Sequence, residues 1–183
     1  MQTVVGRERE LATIERLLGR GLREYSALLL SGEAGIGKTT VWQEAVRLGE
    51  EASFRVLRCR PGQAEAKLGF AALSDLLSSV DEDAFAELPE PQRDAIDAAL
   101  LRAAPRAAGT ASRAVAAGLL SVLRRIAGQS PVLVAIDDVQ WLDRPSEAAL
   151  AFALRRLEPT MPCALVTAQR IDGKAPTNPL GFA

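Results

Sequence analysis

The chain has 183 residues, 48% of them hydrophobic, a length and composition that suit one domain with its own core. Twenty-two basic and twenty-three acidic side chains leave a net charge of −1, so nothing in the charge balance marks a nucleic-acid or anionic-membrane partner. There is no histidine, which excludes Ser-His and Cys-His catalysis and His-bearing zinc sites.

The opening MQTVVGRERE lacks the apolar core of a secretory signal, and the longest apolar runs, such as VLVAI, are far too short to span a membrane. A cytoplasmic protein without a membrane partner is the expectation. Leu11, Ile14 and Leu18 recur at helical spacing and predict a first helix over roughly residues 7 to 20. YSALLLSG is a continuous apolar run ending in Gly32, as expected of a strand buried on both faces. Val41, Trp42, Ala45 and Val46 mark a helix that starts at Lys38, and FRVLRC, residues 54 to 59, is the next strand. A helix carrying Phe70, Leu73, Leu77 and Val80 follows, then one carrying Ile96 and Leu100. Pro105 and Gly109 break that pattern and predict a mobile loop. Helical spacing resumes at Val115, Leu119, Val122 and Ile126, and PVLVAIDD reads as a central strand. RPSEAALAFALRRL is a helix with Asp143 as its cap and Pro145 in its first turn, and CALVTAQR is a fourth strand. Cys59 and Cys163 each sit in an apolar run and read as buried thiols rather than a disulfide or metal site. Strands alternating with helices imply a parallel sheet covered on both faces, an α/β fold in three layers, α/β/α.

Two motifs carry chemistry. GEAGIGKT fits G-x-x-x-x-G-K-[ST] through Gly32, Gly37, Lys38 and Thr39, and it lies where that loop must lie, after a strand and opening a helix. The glycines let backbone N–H groups turn inward around a phosphate chain, the helix start adds partial positive charge, Lys38 reaches the β- and γ-phosphates, and Thr39 offers its hydroxyl to Mg²⁺. VLVAIDD resembles the Walker B strand of P-loop proteins, with Asp137 as the magnesium-side carboxylate. Arg170, at the end of VTAQR, has two readings: a sensor of the γ-phosphate, or a solvated arginine at a strand end. The arginine pairs at 124–125 and 155–156 read as solvated helix faces in preference to arginine fingers.

VVGRERE together with GEAGIGKT and IDDVQWLD closely resembles the N-terminal ATPase domain of the large bacterial LuxR-type, MalT-like transcriptional regulators, within the signal-transduction ATPases with numerous domains. RPGQAEAKLGFAALSDLL resembles the segment that follows the second strand in that family. The resemblance implies a P-loop ATPase domain over residues 1–170, with ATP/ADP and Mg²⁺ as cofactors, and a loop or the start of a further element over 171–183. Val5, Gly6 and Arg7 become adenine-side residues; Gly32, Gly35, Ile36, Gly37, Lys38, Thr39 and Thr40 form the phosphate cradle; Thr39 and Asp137 hold Mg²⁺. Lys38, Asp138 and Arg170 are the catalytic candidates. Asp138 stands where hydrolytic relatives commonly carry glutamate, and the shorter side chain implies slow hydrolysis, since misplacement near 1 Å can cost about two orders of magnitude in rate. Trp141 and Leu142 either order the connection after Asp138 or simply pack beneath it.

Members of that family continue into a fifth strand, a lid, a repeat array and a DNA-binding domain, none of which fits in IDGKAPTNPLGFA. The expectation is therefore a piece of a longer regulator whose own C-terminal domains are its partners, with no direct DNA contact by this part and with ligand-dependent self-association among its options. A nucleotide switch is the leading functional reading. An assembling AAA+ ATPase in continuous turnover is the alternative, and a small-molecule kinase has no sequence support.

Overall fold

The structure, a computed structural model, describes residues 6–102, 111–171 and 178–182. Helix α1 (Glu8–Gly21) leads into β1 (Tyr25–Gly32), α2 (Lys38–Glu51) and β2 (Arg55–Cys59). Then come α3 (Ala71–Leu77), α4 (Asp83–Ala86), α5 (Glu90–Ala99), α6 (Ala111–Ala127), β3 (Val132–Ile136), a 3₁₀ turn at Val139–Trp141, α7 (Arg144–Leu154) and β4 (Cys163–Arg170). The four strands form one parallel sheet in the order β1-β4-β3-β2. The fourth strand is inserted between the first and third, as the register shows: Leu29 and Ile136 both align with Thr167.

Strand alternation divides the core in two. Leu133, Ala135, Ala164, Val166 and Ala168 face α1 and α2, where Ile14, Leu18, Trp42 and Ala45 are buried. Val132, Val134, Ile136, Cys163 and Leu165 point to the opposite side and pack under α3 to α7. Each aliphatic side chain taken fully out of water contributes about 1.5–3 kcal/mol, so strands covered on both faces read as continuous apolar runs. β3 and β4 fit that description, being buried along almost their whole length. β1 does not. Only Ser26 in it is buried and most of its residues are half-buried, because β1 is an edge strand among the described residues. A groove of about 710 Å³, lined by Arg16, Arg20, Arg23 and the residues from Tyr25 to Leu28, runs along that edge.

Boundaries depart from expectation where the chain turns. Val80 lies beyond α3, Leu100 is the C-cap residue of α5, and α7 stops at Leu154 rather than running through Leu157. α4 and the 3₁₀ turn have no periodicity to announce them, being four and three residues long. The expected loop around Pro105 and Gly109 lies outside the described residues. Residues 178–182 form no regular element, yet Leu180 is completely buried in the core on the α7 side. Both cysteines are free and buried, and burial pushes both thiols up, that of Cys163 to about 12.

Asp143 does more than the predicted cap. Its Oδ1 accepts the N–H of Ser146 at 2.9 Å, closing the start of α7, and also that of Phe70 at 2.8 Å, while Oδ2 accepts the N–H of Ala72 at 3.1 Å. Ser146 Oγ in turn accepts the N–H of Leu73 at 3.0 Å. One buried carboxylate thus terminates two helices, and Phe70 is held at φ +63° to begin α3 there. Asp143→Ala is expected to lower stability by about 2–3 kcal/mol, through loss of a cap and orphaning of buried donors, measurable by denaturant titration. Gly21 is tight for a different reason: a Cβ there would stand 2.8 Å from Ala164 Cβ, an atom with no rotamer to move. Gly21→Ala is therefore expected to force α1 off the sheet and cost about 1–3 kcal/mol, seen as a lower Tm without loss of helical signal.

Candidate nucleotide site

The carboxyl ends of parallel strands are where α/β folds place ligands, and here those ends carry the phosphate loop after β1, Asp137 and Asp138 after β3, and Arg170 at the end of β4. The loop turns through Gly35 at φ +76° and Gly37 at φ +93°, left-handed conformations that cost residues with a Cβ. No side chain caps α2, and the first helical hydrogen bond runs from Val41 N–H to the Gly37 carbonyl at 3.2 Å. The N–H groups of Lys38, Thr39 and Thr40 therefore stand at an uncapped helix start, the usual condition for holding an anion.

Lys38 folds back over the loop: its Nζ donates to the carbonyls of Gly32 at 2.9 Å and Glu33 at 2.8 Å. Thr39 Oγ1 donates to Asp137 Oδ2 at 2.9 Å, joining the start of α2 to the end of β3. Asp137 is buried, and its other oxygen accepts the N–H of Asp138 at 3.1 Å. A hydroxyl and a buried carboxylate side by side beneath a glycine cradle are hard oxygen donors, the chemistry that suits Mg²⁺ accompanied by phosphate oxygens.

Asp138 adopts φ +52°, a conformation aspartate tolerates better than most residues, and its Oδ1 accepts from Gln140 Nε2 at 2.8 Å. Gln140 Oε1 accepts the backbone N–H of Arg170 at 3.2 Å. The glutamine thus ties the end of β3 to the end of β4. Ala34, Gly35, Gly37, Lys38, Thr39, Asp138 and Arg170 line one cleft of about 300 Å³, at the small end of ligand sites. At the amino-terminal side, Arg7 donates to the Ile36 carbonyl and pairs with Glu10 at 2.7 Å, which binds the segment before α1 to the loop. Gly6 is exposed, with its N–H on Glu8 Oε1 at 3.3 Å, and Val5 lies outside the described residues.

The predicted residues from Gly32 to Thr40, with Asp137, Asp138 and Arg170, therefore come together at one end of the sheet. Trp141 ends the 3₁₀ turn half-exposed, while Leu142 is buried beneath it. Three of the paired arginines are engaged locally: Arg124 with Glu158, Arg125 with Glu87, and Arg156 over the Phe152 ring at 3.7 Å. Two residues escaped the sequence reading. Gln140 sits inside the quoted IDDVQWLD, and Arg60, which pairs with Asp137, immediately follows β2, so the rule of strand carboxyl ends would have flagged both.

A phosphate loop between the end of β1 and a helix, with the acidic end of β3 lying across β4 from it on a parallel sheet, defines the class of P-loop α/β domains. Within that class the chain belongs to the AAA ATPase domain family, whose model matches residues 3–166. Among solved structures it is similar in fold to Cdc6p from Pyrobaculum aerophilum, with 19% sequence identity and a TM-score of 0.57. That similarity covers 94% of this chain but 41% of the Cdc6p chain. No curated protein matches the sequence. Among the described residues, no helix is long and apolar enough to cross a membrane.

Gly37→Ala is expected to cost about 1–2 kcal/mol of stability from backbone strain alone, measured without any ligand, because its φ suits only glycine.

Proposed function

We propose that this AAA ATPase domain binds ATP with Mg²⁺, hydrolyses it slowly, and uses exchange between ADP and ATP to bias the conformation of a signal-responsive transcriptional regulator of the LuxR type. The observation that carries the nucleotide reading is the single cleft lined by the phosphate loop, Asp138 and Arg170. Gly32, Gly35, Ile36, Gly37 and Thr40 would cradle the phosphates, Thr39 and Asp137 would hold Mg²⁺, and Val5, Gly6 and Arg7 would border adenine. When bound, Mg²⁺ supplies charge neutralisation to the phosphate oxygens. Lys38, now resting on two loop carbonyls, exchanges them for β- and γ-phosphate oxygens, gaining charge-assisted hydrogen bonds.

Slow turnover is supported by the state of Asp138. A short carboxylate engaged by the Gln140 amide is restrained from reaching an attacking water, and a general base must come within hydrogen-bond distance of the proton it takes. Switching is supported by the placement of Arg170 and Gln140. A γ-phosphate met by Arg170 would act on the Arg170–Gln140–Asp138 chain, and a ligand moves an equilibrium only through such differential contacts. The regulator context rests on the VVGRERE, GEAGIGKT and IDDVQWLD resemblance, as does the assignment of residues 1–170 to the ATPase domain and 171–183 to a connection toward further domains of the same regulator. Of the arginines read as finger candidates, Arg124 and Arg125 are paired within this chain with Glu158 and Glu87.

The test is to purify the protein without added nucleotide, identify what denaturation releases, and follow one turnover of Mg-ATP. Retained ADP and a turnover slower than about one per minute, well under the usual 1 s⁻¹ or more of enzymes, are expected. Lys38→Ala should weaken nucleotide binding by about tenfold or more in a calorimetric titration, the cost of a charge-assisted hydrogen bond. Fast hydrolysis that accelerates with protein concentration would replace the switch with an assembling ATPase.

A further inference from the structure

Asp137 is a buried carboxylate, and a buried charge needs a partner of opposite sign close by. Lys38 does not supply it, being spent on the carbonyls of Gly32 and Glu33. The cation at Asp137 is Arg60, whose Nε stands 3.3 Å from Oδ2, the same oxygen that accepts the Thr39 hydroxyl. The oxygen offered to a magnesium shell thus already carries a positive charge supplied by the end of β2.

The two ends of this ion pair differ in freedom. The Asp137 side chain is 2% exposed, whereas that of Arg60 is 57% exposed, so the arginine is the member able to leave. A second resting place adjoins it. The Arg60 guanidinium lies 5.9 Å from the centroid of the Trp42 ring, within the usual range of a cation–π contact. Beside that ring is a groove of about 370 Å³ lined in part by Trp42, Glu50, Arg58 and Arg60. Glu50 is held there by an exposed 3.5 Å pair with Arg58, the kind of pair that is readily exchanged.

We propose that Arg60 is a tethered cation that occupies Asp137 in the nucleotide-free protein and withdraws toward Trp42 and Glu50 when Mg²⁺ enters, so that it sets the Mg²⁺ concentration at which nucleotide is retained. The inference rests on the nucleotide reading of the site and adds to it a competition. A guanidinium and a divalent cation cannot share one buried carboxylate without repulsion, and the apparent affinity for the metal falls by the fraction of molecules in which Asp137 is free. Arg60 is on this account a positioning residue: it acts through Asp137.

The experiment measures binding of a fluorescent ADP across a Mg²⁺ titration for the wild-type protein, Arg60→Gln and Arg60→Lys, with thermal melts as the control for folding. Arg60→Gln is expected to lower the Mg²⁺ midpoint by about fivefold or more, with ADP affinity in EDTA changed by less than about twofold, and Arg60→Lys to stay near the wild-type midpoint. An unchanged midpoint in Arg60→Gln overturns the proposal. So does a loss of affinity in EDTA, which would make Arg60 a phosphate ligand. If the wild-type protein takes up no nucleotide at any Mg²⁺ concentration, the nucleotide reading itself fails. The Arg60 inference is then decided by paramagnetic resonance titration of the same proteins with Mn²⁺ alone: tighter Mn²⁺ binding by Arg60→Gln upholds it, and equal binding overturns it. A second readout follows Trp42 emission in a Trp141→Phe background, where Mg²⁺ should change the signal of the Arg60 protein and not that of Arg60→Gln.

Discussion

One hydrogen bond ties the parts of this site together: Thr39 Oγ1 to Asp137 Oδ2. It joins the first turn of α2, which follows β1, to the end of β3, through residues 98 apart in the chain, and in the sheet β4 lies between β1 and β3. The bond holds only if β4 has been inserted between β1 and β3, because that insertion sets the spacing between the loop and the acidic strand end. The parallel sheet is therefore the positioning device for the site, and its buried strands are the reason the positions are fixed.

Around that bond, polar groups are satisfied by one another while the apolar layers lie beneath. Lys38 rests on loop carbonyls, Asp138 on Gln140, Gln140 on the Arg170 backbone, and Asp137 on Thr39, Asp138 and Arg60. Such mutual satisfaction keeps a cluster of charged and polar groups stable at the end of the sheet. These contacts link the loop after β1, the acidic end of β3 and the end of β4. Asp143 plays the corresponding part on the opposite layer, where one carboxylate fixes the starts of α3 and α7.

Much of this was legible in advance, and the reasons are physical. The apolar runs PVLVAI and CALVTA could only be strands covered on both faces, and the structure buries them so. The phosphate loop announces itself because its glycines answer a backbone requirement that no other residue meets. β1 misled for the converse reason: YSALLLSG has the same composition as a central strand, but composition does not reveal which strand has a neighbour on only one side. The short helix α4 and the 3₁₀ turn carry too few residues to show a period. Leu180 sits in a stretch with no pattern at all, and its burial comes from the core available to it, since residues 178–182 form no regular element.

What the amino-acid order determined by itself is the local chemistry: a strand, a glycine loop, a helix that begins without a cap, and an aspartate pair after an apolar run. These depend on neighbours within a few residues, and their physics is written in spacing. Tertiary structure alone decided that Arg60 meets Asp137, that Gln140 spans Asp138 and Arg170, and that Asp143 serves α3 as well as α7. Those pairings join residues from different strands and helices, and they exist only once the sheet has set the distance between strand ends. Charge and hydrogen bonding act over a few ångströms of space, and sequence separation carries no information about that distance until the chain is folded.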